Sequence, residues 1–195
     1  MPSTKPYQLL VGAGTLYIAP SATAKPALDA TPSGSWRALG FTDGGVKFTK
    51  TRKRNKLFAD QRTGPIGVTQ EEEGVMLETN LQDITLENLA DVVGLTVTDI
   101  AAGVGTIGYR KVGMYTGSEV SEFAFLFRGK SPYGASMPAQ YYVPRGYFDD
   151  DVGSEFKKGE KTLIPAKFEV LEDLDTATEA ERFGIFEAQD AAALP

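Results

Sequence analysis

A chain of 195 residues, 42% hydrophobic and carrying a net charge of −6, can bury one well-packed core but is too short for two large ones. It has no Cys and no His, which removes disulfides, thiolate metal sites, Ser-His-Asp and Cys-His catalysis and most zinc or iron centres. Net acidity argues against general affinity for duplex nucleic acid, no apolar run approaches the roughly 20 residues of a membrane span, and MPSTKPYQLLVGAG lacks a signal-peptide core. A cytoplasm-like compartment is therefore expected.

Twenty-one Gly, 11 Pro, 11 Phe and eight Tyr suit a β-rich fold with many turns. Residues 1 to 8 read as a loose arm. The first strand is expected over Leu10 to Ala19, with Leu16 and Ile18 facing one way and Thr15 and Tyr17 the other. Residues 20 to 35, rich in Ala, Ser, Thr and Pro, form a surface loop long enough to cover or reach something. Trp36 to Leu39 is a short strand. Gly44 to Thr51 is another, in which Val46 and Phe48 alternate with Lys47 and Thr49.

The run that follows, TRKRNKLFADQRTGP, keeps no apolar period until Leu57 and Phe58. Two readings stand: a long solvated hairpin arm or loop, or an arm that orders only against an acidic partner. Ile66 to Gln70 is the returning strand, and Glu71 to Glu73 lead to the sharpest alternation in the chain, Val75, Leu77, Thr79 and Leu81 against Met76, Glu78, Asn80 and Gln82.

A helix comes next. Thr85 stands at its N-cap with Asn88 at the third helical position, Ile84 and Leu89 fit a hydrophobic staple, and Gly94 supplies the stop. Leu86, Leu89, Ala90 and Val93 form the apolar stripe expected to face a sheet.

Weak strands follow at Leu95 to Thr98 and Tyr109 to Met114. Ser121 to Gly129 is strong, with Phe123, Phe125 and Phe127 on one face and Ala124 and Leu126 making the other apolar, so both faces are expected to be covered. Pro144 and Gly146 interrupt the aromatic stretch Gln140 to Phe148, which is expected to be an edge or bent strand because proline cannot donate to a central ladder. Thr162 to Leu171 is the last long strand. The acidic, Ala-rich remainder has room for a short one at Arg182 to Glu187.

The expected organisation is a single domain over residues 1 to 175, with an extended charged hairpin arm at 47 to 70, and an acidic C-terminal tail over 176 to 195. The fold class is mainly β, a β-sandwich or small barrel flanked by one α-helix.

Few constellations suggest chemistry. Gly103, Gly105 and Gly108 satisfy G-x-G-x-x-G, but a dinucleotide site needs a helix opening within the motif, and IGYRKVGMYTG reads as strand or turn. Asp149, Asp150 and Asp151, followed by Gly153 and Glu155, collect carboxylates without EF-hand spacing, so an acidic turn is expected. Nothing positions two carboxylates for glycoside hydrolysis. Trp36, Tyr141, Tyr142, Tyr147 and Phe148 suit either a carbohydrate-stacking platform, as in a β-sandwich binding module, or core and interface packing.

Charge is distributed in blocks. Residues 47 to 62 carry seven basic side chains and one acid, whereas residues 63 to 109 carry eight acids and no Lys or Arg. The blocks have the complementarity a repeating head-to-tail contact needs.

The order of these features resembles the major tail tube proteins of long-tailed, siphovirus-like bacteriophages. The matching features are Gly14 to Tyr17, the W-x-x-L-G element Trp36 to Gly40, the strand Gly45 to Phe48 before a charged arm, DQRTGPIG from Asp60 to Gly67, and VMLETNLQDITLENLADVVG. The resemblance implies a tail-tube sandwich or barrel related to the type VI secretion tube protein. Six subunits would close a ring by sheet pairing, and rings would stack into a hollow tube through which DNA is ejected. It also implies a virion tail location, assembly in the host cytoplasm, and partners that include the chain itself, a tape-measure protein, a tail terminator and a distal tail protein. Contact with DNA would be transient and non-sticking; no membrane, cofactor, metal or enzymatic activity is implied. On this reading Lys50, Arg52, Lys53, Arg54, Lys56 and Arg62 form an inter-ring arm. Glu71, Glu72, Glu73, Glu78, Glu87 and Asp91 form an acidic face toward a neighbour or the lumen.

Overall fold

The structure, a computed structural model, describes residues 14–149, 152–153 and 161–191. Among these residues, ten strands and one α-helix follow in the order β1 (Thr15–Pro20), β2 (Arg37–Ala38), β3 (Thr42–Leu57), β4 (Gly67–Leu81), α1 (Leu86–Val93), β5 (Val97–Ile100), β6 (Tyr109–Val112), β7 (Phe123–Ser131), β8 (Gly134–Phe148), β9 (Ile164–Val170) and β10 (Ile185–Ala188). Eight strands make one antiparallel sheet in the order β2-β1-β7-β8-β9-β4-β3, with β10 added on β8, while β5 and β6 pair separately. The predicted return strand and the alternating run after it are one continuous strand, β4.

Alternation on these strands requires the sheet to fold over on itself. Leu16, Ile18, Phe125, Leu77, Leu81, Ile164 and Phe168 all point into one core and are almost fully buried. Phe125 of β7 stacks on Phe168 of β9 with ring centroids 5.1 Å apart, and Phe48 of β3 meets Tyr141 of β8 edge-on at 4.9 Å. Strands β9, β4 and β3 thus form one layer, and β2, β1, β7 and β10 the other. β8 belongs to both: residues Ala139 to Tyr142 pair with β10, and Gly146 to Phe148 pair with β9.

This corrects the expected edge placement of Gln140 to Phe148. β8 is an interior strand, and Pro144 is tolerated because it falls where the β7–β8 register breaks, between Val143 and Gly146. The bend expected of it lies at the passage between layers. Gly146 is required there, since a Cβ would lie 2.4 Å from both Glu169 O and the Phe168 ring. Arg145 grips Glu122 through two hydrogen bonds of 2.6 and 2.8 Å, which hold the carboxyl below its ordinary range.

The second face of β7 is covered, as expected. Ala124 and Leu126 pack with Ala19, Trp36 and Tyr142. The covering element is the loop over residues 20 to 35: Trp36 Nε1 donates to Ala24 O at 3.2 Å, Tyr142 Oη to Thr23 O at 2.8 Å and Gln140 Nε2 to Pro26 O at 3.1 Å. A stretch without regular structure is held by side chains from the strands beneath it.

Both helix caps form as the sequence predicts. Thr85 Oγ1 accepts from Asn88 N at 3.1 Å, and Gly94 adopts the left-handed conformation at φ 71°. The buried face differs from the predicted stripe. Asn88, Ala90 and Val92 are buried, Leu89 and Val93 are half-buried, and Leu86 is exposed. The cause is a polar dock: Asn88 Nδ2 donates to Leu39 O at 3.0 Å and Asp83 O at 2.8 Å, while its Oδ1 accepts from Arg37, whose guanidinium also pairs with Asp91. Asn88→Ala would leave the buried Leu39 carbonyl and the Arg37 guanidinium without their partner, while Asp83 O keeps Thr85 N as a donor, so a loss of about 2 kcal/mol is expected in urea denaturation. Leu86→Ala, by contrast, should cost less than about 1 kcal/mol.

Candidate assembly surfaces

The arm arises from a simple mismatch of lengths. β3 and β4 pair without interruption of the ladder from Thr42↔Leu81 to Leu57↔Gly67, apart from two bulges, whereas β9 covers β4 only from Met76 to Leu81. Among the described residues, the half of the hairpin beyond Val75 therefore has no strand beside it other than its own partner and no core beneath it. Its sequence matches, since the face that carries Val46 and Phe48 continues as Lys50, Arg52, Arg54 and Lys56.

The two charge blocks lie across from each other on this hairpin. Lys47 pairs with Glu78 at 2.5 Å, Lys50 with Glu73 at 3.3 Å, and Lys53 with Glu72 at 3.0 Å and Glu71 at 3.5 Å. Hydrogen bonding to Glu72 raises the Lys53 ammonium above its ordinary range. Much of the complementarity between the blocks is thus satisfied inside one hairpin, a consequence of β4 being the antiparallel return of β3. Arg52, Arg54, Lys56 and Arg62 are exposed and form no ion pair among the described residues.

The remaining acids are also engaged. Glu87 pairs with Arg110 of β6, and Asp91 with Arg37. Burial pushes the Asp91 carboxyl above its ordinary range, against the hydrogen bond from Arg37. Each acid of the predicted face, Glu71, Glu72, Glu73, Glu78, Glu87 and Asp91, is thus paired with a cation of its own subunit.

Two apolar surfaces escaped the sequence reading. The arm ends in Leu57, Phe58, Ile66 and Val68, exposed by 44%, 65%, 64% and 59%, which flank the turn closed by Ile66 N donating to Leu57 O at 2.8 Å. The available signal was a set of apolar residues on both sides of ADQRTGP in an otherwise polar segment. The other surface is an open cleft of about 340 Å³ at the mouth of the sandwich, lined by Val46, Phe48, Leu77, Phe127, Tyr141 and Phe186. Five strands contribute to it, so no local pattern could reveal it.

The stacking platform does not form. Trp36, Tyr141 and Tyr142 are buried, Trp36 lies edge-on to Tyr142 at 6.1 Å, and Tyr147 donates to Glu169 at 3.1 Å. These rings hold the loop over residues 20 to 35 and the strand crossing together. Gly103 bridges to Thr106 in a turn that leads to β6, with no helix behind it. Asp149 binds Lys167 at 3.1 Å, while Asp150, Asp151 and Glu155 lie outside the described residues. Among the described residues no group of three or more carboxylates is placed to hold a metal ion, and no helix is long and apolar enough to cross a membrane.

The structure is an antiparallel sandwich whose distinguishing features are a projecting hairpin and exposed apolar surfaces. The chain belongs to the phage tail tube protein family, whose model matches residues 2–183. It is a structural viral protein, a component of the virion tail of a kind that self-assembles into a tube with other tail proteins. Comparison with curated protein sequences returns no match.

Proposed function

We propose that this protein is the major tube subunit of a long, siphovirus-like tail. Six copies close a ring through sheet edges, rings stack, and the lumen conducts DNA during ejection. The observation that carries this reading is the arm: a two-stranded ladder that leaves the sandwich and displays exposed apolar residues and cations that form no ion pair among the described residues. Edge strands support ring closure, because among the described residues β3 and β10 each pair on one side only, and a neighbour's strand would satisfy their free backbone groups.

The net negative charge fits a conduit. A wall that repels phosphates lets DNA slide, whereas a basic wall would hold it at many points. A tape-measure protein inside the tube, and a terminator and distal tail protein at its ends, complete the partner set. Assembly takes place in the host cytoplasm, and a fold relation to type VI secretion tubes accords with the sandwich. Sedimentation velocity over a concentration series tests self-association: species far larger than 21.0 kDa are expected. A monomer at every concentration, with or without tape-measure protein, would sink the reading.

A further inference from the structure

We propose that the apolar cleft at the mouth of the sandwich is the receptor for the arm tip of a second copy, a contact that rests on the tube reading and names its inter-subunit seat. The cleft has the character of a binding site, since its lining is apolar and comes from both layers: Val46, Phe48 and Leu77 from one, Phe127, Tyr141 and Phe186 from the other. The tip presents the matching chemistry in Leu57, Phe58, Ile66 and Val68.

An arm tip that fills the cleft must come from another molecule. Phe48 lines the cleft, and Leu57 lies further along the same strand, which at ~3.3 Å per residue carries the tip about 30 Å away. A paired ladder cannot fold that tip back onto its own root. The tip and the cleft are also different surfaces of one chain, so their contact is head-to-tail and can repeat without limit, as a tube requires.

Charge favours the same pairing. Tyr141 Oη donates to Phe183 O at 3.2 Å, which fastens the segment before β10 to the cleft wall. That segment belongs to residues 172 to 190, which carry seven acids and one Arg. Glu179 and Glu181 on its short 3₁₀ turn form no ion pair among the described residues. A tip seated in the cleft brings the unpaired Arg52, Arg54 and Lys56 toward this acidic rim, and opposite charges at a rim guide register and encounter.

The chain has no Cys, so introduced thiols report this contact cleanly. Phe58→Cys protein and Phe186→Cys protein are mixed, assembled and oxidised. A covalent dimer from the mixture, absent from either protein alone and from a mixture with Tyr115→Cys in place of Phe186→Cys, is expected. Should a cysteine variant fail to assemble, a photoreactive phenylalanine analogue at position 58 keeps the ring, and its adducts in tubes should map to Phe127, Tyr141 or Phe186. Tubes in which the tip is captured elsewhere, or by Tyr115→Cys, overturn this inference alone. An unchanged chain that forms no ring or tube overturns the tube reading with it.

Discussion

Replacing Arg52, Arg54 and Lys56 together by Glu is expected to leave the subunit folded and to raise the concentration needed for tube formation by on the order of 100-fold. These side chains are exposed and lie beyond the core, and substitutions of that kind usually change stability by about 0.5 kcal/mol or less each. Assembly is more sensitive. Reversal turns an attraction to an acidic rim into like-charge contact, which costs several kcal/mol, and each ~1.4 kcal/mol is tenfold in an equilibrium constant. Lys53 is left unchanged in this variant because Glu71 and Glu72 of its own hairpin already hold it. Thermal unfolding with light scattering separates the two effects. Added salt should weaken assembly of the unchanged chain, since exposed charges are screened beyond about 8 Å at 0.15 M. Unchanged assembly of the triple variant would mean the arm's cations are only solvated surface.

Phe168→Ala is expected to destabilise the subunit by about 3–5 kcal/mol. The ring is 1% exposed, stacks on Phe125 and meets Phe148 edge-on at 5.3 Å, at the point where β8 changes layers. Its loss leaves a void between two layers that Gly146 has brought into close approach, where backbone cannot easily collapse. A domain's net stability is only about 5–15 kcal/mol, so the variant should melt on the order of 10 °C lower. A urea-denaturation difference below about 1 kcal/mol would show that this aromatic cluster is not what joins the layers.

Most of the fold was legible because its signals are local. Alternation located β1, β4, β7 and β9, and the Thr85 cap and Gly94 stop delimited the helix to the residue. The errors occurred where distant residues decide. The helix turns on Asn88 because Leu39 and Arg37, some fifty positions earlier, supply its partners, and a stripe drawn from apolar residues alone cannot anticipate that. Pro144 pointed to an edge or bent strand, and a register break lets an interior strand carry it at its bend.

For the candidate surfaces the balance is different. The cationic arm could be seen in composition, but the register of β3 on β4, which pairs Lys47, Lys50 and Lys53 with acids of the same hairpin, required the structure. The hydrophobic tip is visible in the sequence but carries no signal there, because isolated exposed apolar residues are ordinary. Its significance comes from a cleft assembled by five strands.

Whether the protein builds a tube is visible by electron microscopy of the purified protein, alone and with tape-measure protein. Hollow tubes of stacked rings, six-fold in end-on view, are expected of a tube subunit. Dispersed single subunits under every condition, or filaments without a lumen, would contradict that role.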